Sequence, residues 1–349
     1  MIKGFVRLLL ALLFLPCTVN GQKDKLSSFP CSSPRIFESD SVLNIIIFAN
    51  FDSLLNDRYN EPFRRPAKVR YRDSCGNQRT ISASVSIRGR FRKRPENCSF
   101  PSLRLYFKPD SVRNTIYEGM KSVKMVVQCR PENYQFEQYV IGEYLIYKWY
   151  QRISKYSFNV QLIRCTYSNL GESFPDMVGY AVLLETKGSF EKRMQGKFRN
   201  TDEISLTELD QEEYKKLCFF QYMIMNNDWA ASILHNVEIF EPGYGQSPVA
   251  IPFDFDFAGI LGIPYRIPSA TNDTILKPNR DFKGIYSSRK EVIQTIRFFN
   301  KNRRFFYATL SKNPYLNGET KEKMAASLDE FYFTINFPPY RKKYIFHRN

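Results

Sequence analysis

Between Val42 and Glu185 the apolar residues come in short runs that alternate with polar ones, and a single longer stretch breaks the pattern. Val42–Phe51, Lys68–Tyr71, Thr80–Gly89, Leu103–Lys108, Val123–Val127, Phe158–Tyr167 and Gly179–Glu185 have strand character, with Ile81, Val85 and Ile87 on one side of theirs. Asn133–Ser154 instead repeats Phe136, Val140, Tyr144 and Tyr147 at spacings of four, four and three. That is an apolar stripe along a helix, and Glu143 falls beside it. The first half therefore reads as antiparallel sheet with one inserted helix.

The second half is more helical. Ser205 with Glu208 has the spacing of a capping box and would start a helix over Glu208–Met225. Short strands follow at Val237–Phe240 and Val249–Phe253, joined by a Pro-Gly-Tyr-Gly turn at 242–245. Further helices are expected at Arg289–Leu310 and Glu319–Ile335. Sheet with one helix, a linker near Glu185–Ser189, a long helix, a polar loop, an acidic hairpin and more helices is the order of a bilobal kinase. The expectation is an α+β chain with a sheet-rich N-lobe at 41–185 and a mainly helical C-lobe at 186–349.

The N-terminus sets the compartment. Lys3 and Arg7 precede the apolar run Leu8–Leu15, which is too short to span a bilayer, and Val19-Asn20-Gly21 supplies small residues for cleavage. Residues 1–21 read as a secretory signal peptide and 22–40 as a loose segment rich in Lys, Ser and Pro. The chain is expected to be exported, periplasmic or associated with the cell envelope, with no transmembrane span once the signal is cut. Pro16 directly before Cys17 fits lipid attachment poorly. Six cysteines remain outside the signal, an even number that favours disulfides in an exported chain; six allow fifteen pairings, among which sequence does not choose, and Cys75–Cys98 is one local candidate. No CxxC pair occurs and only His235 and His347 are available, which disfavours structural zinc. The formal charge is +16, with basic clusters at Arg64-Arg65, Arg88–Arg94, Arg303-Arg304 and Arg341-Lys342-Lys343. Such clusters attract phosphates or an anionic surface. No nucleic-acid-binding motif accompanies them.

The chemistry concentrates at 226–259. Asn226-Asn227-Asp228-Trp229 leads through Leu234-His235-Asn236 to Pro252-Phe253-Asp254-Phe255-Asp256-Phe257-Ala258-Gly259. If 253–257 is a strand, Asp254 and Asp256 lie on one face, opposite Phe253, Phe255 and Phe257. Two neighbouring carboxylates repel unless a cation sits between them, and hard oxygens suit Mg²⁺. Asn236 would add an amide oxygen to the same metal, and Asp228 is the candidate base. Each residue taken singly also fits a cap or a turn. No Walker-type Gly-x-x-x-x-Gly-Lys sequence and no nucleophile elbow is present.

These segments resemble the spore-coat protein H (CotH) kinase-like family, in its exported Gram-negative form. Arg88-Gly89-Arg90-Phe91, Phe100–Leu105, Lys124–Val127, Glu143–Tyr147 and Ser157–Val160 add to the likeness, which spans 80–260. The resemblance implies an atypical protein-kinase-like fold with ATP and Mg²⁺ or Mn²⁺ between two lobes. It implies Asp228 as catalytic base and Asn236, Asp254 and Asp256 as metal ligands. Lys124 or Lys108 would pair with the nucleotide phosphates, Glu143 would partner that lysine, and Arg88 and Arg90 would hold phosphate in place of a glycine-rich loop. Seven residues separate Asp228 from Asn236, against four in the ordinary kinase loop. The expected function is transfer of the ATP γ-phosphate to a hydroxyl, that of Ser or Thr on a protein; the alternative is a non-catalytic envelope protein that binds a ligand or partner on the same scaffold.

Overall fold

Every second side chain of the first-half strands turns towards one interior. The computed structural model describes residues 34–59, 63–173, 175–263, 280–286 and 288–346; the expected signal segment, Cys31 and His347 lie outside them. In chain order the elements are β1 (Leu43–Ala49), α1 (Phe51–Asn56), β2 (Arg65–Arg72), β3 (Gln78–Ile87), β4 (Leu103–Phe107), β5 (Ser122–Val126), α2 (Gln135–Ile153), β6 (Val160–Asn169) and β7 (Met177–Leu184). Then come α3 (Lys187–Met194), β8 (Lys197–Phe198), α4 (Gln211–Met223), β9 (Val237–Glu241), β10 (Val249–Pro252), α5 (Arg289–Ser311), α6 (Gly318–Asn336) and α7 (Pro338–Tyr344).

The first seven strands do not form the open sheet of a kinase-like N-lobe. They close into a mixed barrel in the order β1-β2-β3-β4-β5-β7-β6. Closure comes from β1, which pairs antiparallel with β2 on one side and parallel with β6 on the other, Leu43 opposite Ile163 through Ala49 opposite Asn169. Both edges of β1 are thereby used, so the barrel has no open edge. This overturns the expected bilobal kinase-like architecture, while the α+β character stands.

Ile45, Ile47, Val69, Val85, Leu103, Leu105, Met125, Cys165 and Leu183 fill the barrel. β6 and β7 are buried on both faces: Ile163 and Ala181 point inward, whereas Leu162 and Val182 pack outward under the helices. That double burial explains the continuous apolar run Ala181–Leu184 at the end of β7. Residues 22–40 include Ile36, which is buried and whose amide donates to Ile116 O at 2.8 Å.

α2 lies over β6 and β7 and touches α5 on its other side. Its Trp149 donates from Nε1 to Thr309 Oγ1 at 2.8 Å. Gly142 lets the helix approach the turn at 259–261, since a Cβ there would sit 2.5 Å from Leu261 Cδ2. β8, β9 and β10 form a separate antiparallel sheet, and the expected 242–245 turn joins β9 to β10 with Gly243 and Gly245 at positive φ. α4 begins later than the capping-box spacing suggests. Asp210 is its cap and accepts from the amides of Glu212 and Glu213, while Glu208 meets the Ser205 amide in the turn before it.

Cys98 bonds to Cys129, not to Cys75, and Cys75 is in a disulfide of its own. Cys75 and Cys98 flank opposite ends of the ten-residue β3, a separation on the order of 30 Å. Cys165 and Cys218 are free and buried. Among the described residues no helix is long and apolar enough to cross a membrane, and the disulfide agrees with export.

Candidate active site

α4 ends in a sharp reversal. Met225 takes a positive φ of 57°, and the Asn226 amide donates back to Gln221 O at 2.9 Å. Asn226 is fully buried; its Nδ2 donates to Gln221 Oε1 and its Oδ1 accepts from the Asp228 amide. Lys283 donates to the carbonyls of both Asn227 and Trp229 at 2.8 Å, clamping the backbone on either side of Asp228. A reciprocal bridge between Ala230 and His235 then folds the loop back on itself.

That return brings two side chains onto the Asp228 carboxylate. His235 Nε2 lies 2.7 Å from Oδ1, and Asn236 Nδ2 donates to Oδ2 at 2.9 Å and to the Asp228 carbonyl at 2.7 Å. With both Asn236 bonds made by its amide nitrogen, its Oδ1 is left as an acceptor. The cluster is partly exposed, 38% for Asp228 and 52% for His235.

The acidic stretch after β10 is not a strand. Asp254 adopts a left-handed conformation (φ 61°, ψ 69°), and Phe255–Phe257 forms a single 3-10 turn. Alternation over five residues argues for a strand, but here the turn wins, with Phe255 and Asp256 buried and Phe253 and Phe257 only partly so. The Phe253 amide donates to Asn236 O, joining this segment to the Asp228 loop, and the Asp254 amide donates to Tyr147 Oη on α2 at 2.9 Å. Tyr147 also packs edge-on against Phe255.

Asp256 turns inward. Its Oδ2 accepts from Arg92 Nε at 3.1 Å, and Arg92 Nη2 sits 3.6 Å from Glu143 Oε2. Glu143 is 1% exposed, and its Oε1 has no hydrogen-bond partner among the described residues. Burial raises the pKa of both carboxyls; Arg92 opposes the rise, while Asp254 adds to it in each case. The cation beside Glu143 is thus Arg92 rather than Lys124 or Lys108. Lys124 projects from β5 with Arg104 opposite it on β4 and its ammonium over the Phe253 ring. Burial, with help from Arg88 and Arg104, pushes its pKa down to about 8. Lys108 is exposed at the end of β4, outside the cleft.

A cleft of ≈ 560 Å³ gathers these groups, lined by Arg88, Arg90 and Arg92 from the segment after β3 and by Asp228, His235, Asn236, Asp254 and Asp256 from the later loops. Gly89, at φ 90°, allows the turn between Arg88 and Arg90. Burial lowers the Arg88 pKa, and the Asp254 charge counters it. The Cys98–Cys129 bond fixes the far end of this arginine segment to the chain just after β5. A larger hollow of ≈ 840 Å³ between α5 and α6 contains one carboxylate, Glu322, and no comparable constellation.

Six non-glycine residues have positive φ among those described, and four of them, Met225, Leu234, Asn236 and Asp254, shape this cleft or the loop leading into it. Such conformations cost on the order of 1 kcal/mol or more each and persist where surrounding structure enforces them. The donors present are hard oxygens, as Mg²⁺ or Mn²⁺ prefers. Among the described residues no group of three His, Cys, Asp or Glu side chains stands close enough to hold a metal by itself. Asp256 is already paired with Arg92, so an ion here would depend on substrate phosphates for most of its ligands, the usual habit of Mg²⁺.

Sequence reading found Asp228, Asn236, Asp254 and Asp256 but not the roles of Arg92, Tyr147, His235 or Lys283. Arg92 was visible only as one of several cations in 88–94, and nothing in the sequence distinguishes the arginine that turns inward. Neither a protein-family model nor a curated protein matches this chain.

Proposed function

We propose that this cleft binds ATP with Mg²⁺ or Mn²⁺ and transfers its terminal phosphoryl group to a hydroxyl, that of a protein Ser or Thr. The observation that carries the reading is the meeting of arginines and carboxylates in a cleft whose backbone is held in left-handed conformations at Asn236 and Asp254. Phosphoryl transfer asks little covalent help of a protein; it asks for positioning and charge. Asp228 would orient the attacking hydroxyl and accept its proton, with His235 and Asn236 fixing the carboxylate. Arg88 and Arg90 would face the phosphate oxygens. Asn236 Oδ1, Asp254 and Asp256 would hold the metal, which when bound neutralises charge developing on those oxygens. Kinship with the CotH kinase-like family is part of the same proposal, resting on the residue series, as is a periplasmic or cell-envelope location.

A second reading, a binding protein without transfer, is favoured by one observation: Arg92 already neutralises Asp256. Incubation with γ-labelled ATP and Mn²⁺ separates the two. Label should move to protein substrate or to the chain itself, and Asp228→Asn should abolish it while nucleotide binding survives. Binding without transfer in the wild type would establish the second reading.

A further inference from the structure

The C-terminal end of the fold carries a surface that the cleft does not use. Phe333 at the end of α6, Phe337 between the helices, and Tyr340 and Tyr344 on α7 are 52%, 44%, 42% and 42% exposed. They form one continuous ladder, with ring centroids 5.3 Å apart for Phe333–Phe337, 4.9 Å for Phe333–Tyr340 and 5.8 Å for Tyr340–Tyr344. α7 buries none of its own residues. Four large rings left in water side by side form a patch of the kind that marks an interaction surface.

The charge beside the patch selects its partner. Arg341, Lys342 and Lys343 interleave with the tyrosines, and none of the three forms an ion pair among the described residues. Lys342 and Lys343 also line a hollow of ≈ 410 Å³ with Arg289, Pro339 and Phe346, so three cations surround a space on another side of α7 from the rings. Residues 289–346 carry twelve Lys and Arg against five Asp and Glu. A second copy of this chain docking face to face would set these cations against their own equivalents, which repel. Rings that enter the boundary between headgroups and acyl chains, flanked by cations that meet phosphate, suit a bilayer interface.

We propose that the Phe333–Phe337–Tyr340–Tyr344 face, with Lys342 and Lys343 beside it, docks the protein peripherally onto an anionic phospholipid surface. The rings enter the interface while the long lysine side chains reach phosphate at the headgroup level.

The test is sedimentation of the full chain with vesicles of phosphatidylethanolamine and phosphatidylglycerol, against vesicles of phosphatidylcholine alone. The anionic vesicles should pellet the protein, more weakly in high salt. Lys342→Ala with Lys343→Ala should weaken partitioning about thirty-fold, as expected for two cations near the surface. Both side chains are exposed, so folding is spared. Phe333→Ser with Phe337→Ser should weaken it as well, and circular dichroism checks that fold. Any contribution of the apolar run at 8–15 is common to all variants. Equal pelleting of wild type and both variants would overturn the proposal. So would no preference for anionic vesicles, full competition by inorganic phosphate with no dependence on the rings, or self-association that the Phe333/Phe337 variant abolishes.

Discussion

Two acidic clusters meet in one cleft and are built in opposite ways. Asp256 and Glu143 are buried around Arg92, with one Glu143 oxygen left unpaired. Asp228 is partly exposed, with His235 and Asn236 as partners. The buried cluster ties α2, the arginine segment and the turn after β10 into one frame. Loss of its cation leaves two carboxyls buried away from water without the partner that holds them. The open cluster can be disturbed at little cost to folding, because solvent replaces what is removed. The comparison separates residues that hold the cleft from residues free to act in it.

The sharpest way to break that contrast is at Arg92. Arg92→Met leaves two buried carboxyls without their cation and should destabilise the protein by about 3–5 kcal/mol, read from urea unfolding. Replacing Cys98 and Cys129 by Ser frees a loop of 31 residues and should cost about 3 kcal/mol. If Arg92 proves neutral, the buried cluster is not the frame.

pH sharpens the same distinction. Burial raises the Glu143 pKa from 4.5 to about 8. At low pH both folded and unfolded states carry the proton. From about pH 4.5 upward the unfolded chain ionises while the folded one retains the proton, so stability falls as pH rises towards about 8 and then levels. Glu143→Gln should remove this carboxyl's share, so the variant gains on the wild type between pH 5 and 8 in denaturation midpoints. A gap that shrinks with rising pH would contradict the assignment.

Smaller effects are expected on the open side. Asp254→Gly suits a left-handed backbone and should change stability by less than about 1 kcal/mol, in the stabilising direction, while removing a metal ligand. His235→Ala should move the unfolding midpoint least, by under about 1 kcal/mol, since its partner is exposed.

Legibility in the sequence followed the range of the interactions. Helix α2, the β9–β10 turn and the β3 alternation follow from neighbours a few residues apart, and were readable. Barrel closure depends on residues 43–49 meeting 163–169, a pairing that no local period encodes. The four polar residues of the acidic series stood out by type. The reversal at Asp254 did not, because the alternation in Phe-Asp-Phe-Asp-Phe argues for a strand. Arg92 was hidden among like charges, and the choice of Cys98–Cys129 depended on which end of β3 each cysteine occupies.

The central claim is that the arginines and carboxylates of the cleft form a metal-dependent nucleotide site. Thermal unfolding with ATP, with Mn²⁺, with both and with neither tests it most directly, in the wild type and in Asp254→Ala. Saturating ligand should add about 2–3 kcal/mol of stability, so the wild-type midpoint should rise by a few degrees only when both are present, and the variant should not respond. An unchanged midpoint with ATP and any divalent metal, or an equal rise in Asp254→Ala, would contradict it.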